Sequence, residues 1–311
     1  MYVGVDIGGT NIRVGAVDTK GKVHKSESFR HPPHRDENHI AELISGRVLD
    51  MEKSGIDVEG VGVGAAGRLD INRGVILKSH NAPTGNSYNL VGPISKAVGK
   101  KVILANDATA AAWGEHRFGQ GRGIDNMVYI TISTGIGGGA IVDGNLLLGK
   151  DGRASRIGHT VVDFNSDQEC GCGRLGHWEG LASGRNIPRT LAAYLAARGE
   201  RAEKYAGIKS EAIFALYNGG DQKIRGFVDD YLMRLYAAGV SSAINNFSPD
   251  LIVMGGSVAR NNTAIFEKGI AMHLLEYGGA ERCRVTFTEL GDEIGVIGAA
   301  ALAMDFERLP R

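Results

Sequence analysis

Asn106-Asp107 joins the apolar run Val102-Ile103-Leu104-Ala105 to the alanine-rich stretch Ala108 to Trp113, where a buried strand should give way to a helix. A carboxylate fixed there points into the crevice outside the strand ends. It can take the proton of an attacking hydroxyl while the neighbouring amide bonds a second one. Helix N-capping explains one polar residue at such a junction, and two adjacent ones exceed what a cap requires. Complementary chemistry lies in three glycine turns that each follow an apolar run: Asp6-Ile7-Gly8-Gly9-Thr10-Asn11, Ser133-Thr134-Gly135-Ile136-Gly137-Gly138-Gly139 and Met254-Gly255-Gly256-Ser257. Lacking Cβ, glycine lets backbone N–H groups approach phosphate oxygens closely. Asp6 beside those phosphates suits Mg²⁺ or its waters. A base together with phosphate cradles is the equipment of phosphoryl transfer. Gly-x-x-x-x-Gly-Lys-Ser/Thr is absent, and no Gly-x-Gly-x-x-Gly opens a helix with a suitably placed acid, so P-loop and dinucleotide sites are set aside.

A second cluster follows. His159, Cys170, Cys172 and His177 supply four soft-to-borderline ligands within nineteen positions, the set of a closed tetrahedral zinc site with a structural purpose: pinning a loop so that His159 and Glu179 face a substrate. Cys-x-Cys is not the usual zinc-finger spacing, and two small turn residues in a glycine-rich loop is the competing reading.

These residues need a frame. The chain of 311 residues, 43% hydrophobic, has enough apolar surface for two domains of ordinary size. A net charge of +0 gives no field that would draw nucleic acid or an anionic membrane, so a small molecule is the expected partner. No run of about 18 apolar residues and no secretory leader is visible, and three cysteines make no disulfide framework, so a reduced, cytoplasmic setting is expected. Hydrophobic periodicity predicts strands at 2–7, 11–18, 22–30, 58–65 and 101–105, with helices at about 36–54 and 107–117. A similar series then restarts, with strands at 127–133 and 138–142. Helices are expected near 182–198, 209–217, 222–246 and 263–275, strands at 251–254 and 284–288, and a closing helix from Glu293. The predicted division is 1–118 with the closing helix (about 293–311) against 119–292. Helices 182–198 and 222–246 offer a candidate contact face, although helical stripes are more often core.

On these motifs the chain resembles the ROK family of repressors, open reading frames and kinases, within the actin and hexokinase superfamily. Asp6-x-Gly8-Gly9-Thr10-Asn11 and Thr134-Gly135-Ile136-Gly137-Gly138-Gly139 resemble its two phosphate segments, and Leu251 to Ser257, with Gly255 and Gly256, its adenosine segment. Asn106-Asp107-Ala108 resembles the segment whose Asp is the catalytic base. Gly158-His159 and Cys170-x-Cys172-Gly-x-x-Gly-x-x-Glu179 are similar to its zinc and sugar signature. The resemblance implies a two-domain α/β fold of the actin-like ATPase, ribonuclease H-like type with a cleft between the lobes. It further implies an ATP- and Mg²⁺-dependent sugar kinase, a structural Zn²⁺ on His159, Cys170, Cys172 and His177, and a homodimer or homotetramer. Gly67, Asn106, Asp107, His159 and Glu179 would contact the sugar. Two departures stand out. His177 replaces a family cysteine, and Arg156 replaces the Glu of Glu-Ile-Gly-His. Arg donors match a carbonyl acceptor, which favours an N-acetylhexosamine, N-acetylmannosamine first, with glucose as the alternative. A DNA-binding repressor would need a helix-turn-helix ahead of Asp6, where five residues stand.

Overall fold

The computed structural model describes residues 1–31, 38–78, 87–279 and 283–309. Its elements run β1 (Tyr2–Ile7), β2 (Asn11–Val17), β3 (Val23–Arg30), α1 (His39–Lys53), β4 (Gly60–Ala65), β5 (Arg68–Asp70), β6 (Val75–Lys78), β7 (Tyr88–Asn89), α2 (Val91–Val98), β8 (Lys101–Asn106) and α3 (Asp107–Phe118). There follow β9 (Met127–Ile132), β10 (Ile136–Val142), β11 (Asn145–Leu146), α4 (Trp178–Ala182), α5 (Ile187–Ala197), α6 (Ser210–Asn218), α7 (Gln222–Phe227), α8 (Met233–Phe247), β12 (Leu251–Gly255), α9 (Ser257–Arg260), α10 (Thr263–Tyr277), β13 (Arg284–Phe287) and α11 (Ile294–Met304). Two compact units result: Met1–Asp125 with Gly139–Ser155 and Glu289–Arg311, and Asn126–Gly138 with Arg156–Thr288.

In the first unit the sheet order is β3-β2-β1-β4-β8, an antiparallel meander followed by parallel strands. Strand alternation sorts its faces. Val3, Val5, Val61 and Val63 join a core with Ile40, Ile44, Val48 and Met51 of α1 and Ile94 of α2. The intervening Gly4 and Gly62 face α11, and a Cβ on either would strike the backbone of Val296 or Ala299. Glycine here permits a helix to lie directly on the strands. α11 is itself rich in Ala and Gly, and its Gly298 meets Ala110 and Gly114 of α3 at backbone distance. Small residues on both helices thus fix α3, and with it Asp107 at its start.

In the second unit, β9, β12 and β13 are parallel, with β12 between the other two. Trp178, Tyr236 and Phe266 are fully buried, with Trp178 edge-on to Tyr236 at 6.2 Å and Tyr236 to Phe266 at 4.6 Å between ring centroids. This aromatic column anchors α4 to α8 beneath the cysteine loop.

Several expectations are revised. The helix expected at 182–198 begins only at Ile187, because the Gly184 amide leaves helical bonding to donate to the Ser133 carbonyl at 2.8 Å, and a separate short helix, α4, ends at Ala182. The helix expected at 222–246 contains a π-helical segment at Val228–Leu232 between α7 and α8. β5 to β7 and α2 were not predicted at all. The proposed contact face is mostly core: Ile187, Leu191, Leu195, Leu235, Tyr236 and Val240 are buried. Among the described residues, exposed large apolar side chains lie instead on α10 (Met272, Leu275, Tyr277) and in the loop carrying Val161, Phe164 and Leu175. Among the described residues no helix is long and apolar enough to cross a membrane.

Candidate active site

Register alone brings the first group together. Asp6 lies opposite Gly64 in the parallel pair β1–β4, and Ala65 lies opposite Asn106 in β4–β8, so three neighbouring strands present their C-terminal ends side by side. Asn106 has the extended backbone of an N-cap, with Oδ1 accepting from the Ala108 amide at 3.2 Å and Nδ2 donating to the Ala65 carbonyl at 3.3 Å. Asp107 Oδ1 accepts from the same amide at 2.9 Å. Asn106 is therefore the N-cap of α3, and Asp107 is the carboxylate directly after it.

Asp6 is nearly buried beside Asp107. Burial first, and the negative Asp107 second, push its carboxyl up to about 6, against the pull of Arg13. Arg13 is the cross-strand partner of Asp6 in β1–β2, and its Nη1 donates to the Asp292 carbonyl ahead of α11. Gly295 leaves room for the Asp6 carboxylate, which occupies the space a Cβ would take. Sequence reasoning passed over Arg13. Hairpin arithmetic would have found it, because pairing Ile7 with Ile12 places Asp6 opposite Arg13.

The raised Asp6 value has a sign that can be tested. Between the ordinary value of 3.8 and about 6 the folded chain holds the proton more tightly than the unfolded one, so stability falls as pH rises through that window. Above it, the metal-free protein bears a penalty on the order of 3 kcal/mol. Asp6→Asn should raise the thermal midpoint at pH 7.5 in the absence of Mg²⁺ and leave it nearly unchanged at pH 4; equal shifts at both pH values would refute the assignment.

The glycine turns divide between the units. In the first, the Gly8 amide closes the turn onto the Asn11 carbonyl at 3.0 Å, while Gly9, Thr10 and Asn11 are exposed. Gly67, with φ of 112°, follows β4 just after Ala66, whose amide donates to Ile7 at the end of β1. In the second unit the Thr134–Gly137 turn abuts the Gly255-Gly256 turn, with Ser133 and Ser257 hydroxyls 3.3 Å apart. Gly256 has φ of 84°, and a Cβ there would fall on the Ile132 carbonyl, so no other residue suits that corner.

Glu179, in the first turn of α4, spans two features of the second unit. Its Oε2 accepts from the Ile136 amide at 3.0 Å and its Oε1 from the Cys170 thiol at 3.4 Å. The four donor atoms of His159, Cys170, Cys172 and His177 lie within 4.8 Å of one another. His159 Nδ1 is 3.3 Å from His177 Nδ1 and 3.8 Å from Cys170 Sγ, and Cys172 Sγ is 3.3 Å from His177 Nδ1. Zinc bonds of about 2.0–2.3 Å place the corners of a tetrahedron about 3.3–3.8 Å apart, which these three separations match, so the cluster is a candidate Zn²⁺ site once its wider pairs close in. Burial keeps His177 below its ordinary value, in the neutral form a metal binds. Burial pushes the Cys170 thiol up to about 12, so a cation must displace its proton. On the other edge of the His159 ring, Arg156 Nη2 stands 2.6 Å from Nε2.

Known proteins resemble this chain over nearly its whole length. The ROK family model matches residues 2–306. A glucokinase of Pyrobaculum calidifontis is 39% identical over 304 residues, covering 97% of this chain and 94% of its own. An N-acetylmannosamine kinase of Escherichia coli is 30% identical over 301 residues, covering 96% and 97%. Among solved structures, a ROK hexokinase from Thermus thermophilus superposes with a TM-score of 0.83 at 30% identity, covering 99% of both chains. A ROK glucokinase from Streptomyces griseus, in complex with glucose and AMPPNP, gives 0.77 at 33% identity over 98% of this chain and 99% of that one. Fold, glycine turns and the Cys/His loop together lead to one statement of kinship: the chain belongs to the ROK family.

Proposed function

We propose that this protein is a sugar kinase that transfers the γ-phosphoryl group of ATP to the C6 hydroxyl of a hexose. The observation that carries the reading is the Asn106-Asp107 pair at the strand ends, beside the nearly buried Asp6. Asp107 accepts the hydroxyl proton as the oxygen attacks γ-phosphorus and the bond to the β-phosphate oxygen breaks, releasing ADP. Asp6 holds Mg²⁺ or its waters. Phosphate donors are the amides of Gly8, Gly9, Thr134, Gly135 and Gly137, with the Thr10 hydroxyl beside them; the Gly8 amide also closes its turn onto the Asn11 carbonyl. Asn11 belongs to the same cradle, and Gly255 and Gly256 form the corner that packs on adenosine. Gly67, Asn106, Arg156, His159 and Glu179 make the sugar site. Zn²⁺ on His159, Cys170, Cys172 and His177 stiffens the loop that carries them. Assembly as a homodimer or homotetramer in the cytoplasm belongs to the same reading.

Glucose is the acceptor that the 39% identical relative supports. N-acetylmannosamine is the acceptor that Arg156 supports, since a guanidinium donates to an acetamido carbonyl and cannot accept from a hydroxyl. Steady-state kcat/KM on glucose, fructose, N-acetylmannosamine and N-acetylglucosamine decides between them. Clear preference for glucose ends the acetamido argument, and no ADP formation with any hexose ends the kinase reading.

A further inference from the structure

The His159 ring is addressed from both edges. Nδ1 faces the cluster, 3.3 Å from His177 Nδ1 and 3.8 Å from Cys170 Sγ, while Nε2 faces the Arg156 guanidinium at 2.6 Å. Arginine keeps its protons in proteins and only donates. In this contact Nε2 is therefore the acceptor, and the proton of the neutral ring sits on Nδ1. A cation in the cluster requires the opposite arrangement, because it takes the Nδ1 lone pair and leaves the ring proton on Nε2. Nε2–H and the guanidinium are then two donors face to face, and their hydrogen bond cannot exist.

We propose that the cation of the His159–Cys170–Cys172–His177 cluster and the Arg156 guanidinium compete for one imidazole, so that loading the cluster releases Arg156 from His159 toward the sugar. The proton balance is complete: the two thiols give their protons to solvent, and the proton lost from Nδ1 is matched by one taken up at Nε2. The loaded state presents two separate donors, Nε2–H and the guanidinium, to an oxygen-rich ligand. In the cation-free state the two groups bond to each other. Arg156 is thus a specificity residue whose availability depends on the loop's metal. Its release toward sugar rests on the kinase reading above; the competition itself does not.

The test uses the whole chain with Zn²⁺ as the probe. Nitrogen-15 NMR of labelled histidine should place the His159 proton on Nδ1 in the chelator-stripped protein and on Nε2 after Zn²⁺ is added. Arg156→Met, which keeps an unbranched apolar stem and removes the donor, should shift that proton to Nε2 even without metal. In competition with a chromophoric chelator, the variant should bind Zn²⁺ about 3- to 10-fold more tightly, the effect of one hydrogen bond no longer broken on loading. That gain should persist at high salt, whereas a bare loss of positive charge would be screened. A ring proton already on Nε2 in the stripped wild type, a gain that vanishes at high salt, or no zinc bound at all would each overturn the proposal. None of these readouts contains a sugar, so the kinase assay stands or falls separately.

Discussion

Asp107→Asn should lower kcat by about 10²–10⁴-fold while sugar affinity stays within about threefold of the parent. The substitution isolates proton acceptance from structure. The asparagine side-chain oxygen still accepts from the Ala108 amide that Asp107 Oδ1 meets at 2.9 Å, and Asn106 still caps α3. Folding should therefore be preserved, and the lost function is that of a group able to take a proton. Steady-state kinetics with calorimetric sugar titration provides the measurement. Turnover near the parent's would remove Asp107 from the role of base. A second signal accompanies the first: with the Asp107 charge gone, one of the two causes that raise the Asp6 carboxyl disappears, so Asp6 should titrate at lower pH.

Gly62→Ala should cost roughly 2–4 kcal/mol and lower the melting temperature by about 5–15 °C, an unusual penalty for one methyl group. The added carbon falls on the carbonyl of Ala299, a backbone atom that cannot rotate away, so α11 must retreat as a body. Gly46→Ala on α1 is the counterpart. Nothing lies within 4 Å of its added carbon, and the change should stabilise by about 0.5–1 kcal/mol through helix propensity. Because α11 also carries Gly295 beside Asp6, residual folded Gly62→Ala protein should turn over more slowly. Differential scanning calorimetry of both variants checks the pair, and equal melting temperatures would contradict the packing described for α11.

Sequence made the reactive residues visible because their turns punctuate strong apolar runs. Val3 and Val5, Val61 and Val63, and Met127 to Ile132 announce buried strands, and each glycine turn ends one of them. The four candidate ligands were legible as residue types, and folding brings their donors together. What remained hidden lacks local periodicity. β5, β6 and β7 are two to four residues long, too short for alternation to register. α2 carries Gly92 and Pro93 in its first turn, a sequence that reads as loop although proline is tolerated there. The π-helical segment at Val228–Leu232 keeps helical spacing on either side, so the apolar stripe passes through it unmarked. The two-edged contact of His159 was invisible for another reason: it depends on side-chain direction within a three-residue 3₁₀ turn.

The order of manufacture sets a last constraint. The strands β1 to β4 leave the ribosome well before α11, the helix that covers their glycine face. At ordinary elongation rates the intervening stretch takes roughly 10–50 s to make. Throughout that interval the nascent sheet displays an uncovered, glycine-lined surface. Truncation before Ile294 should therefore yield chains that chaperones retain.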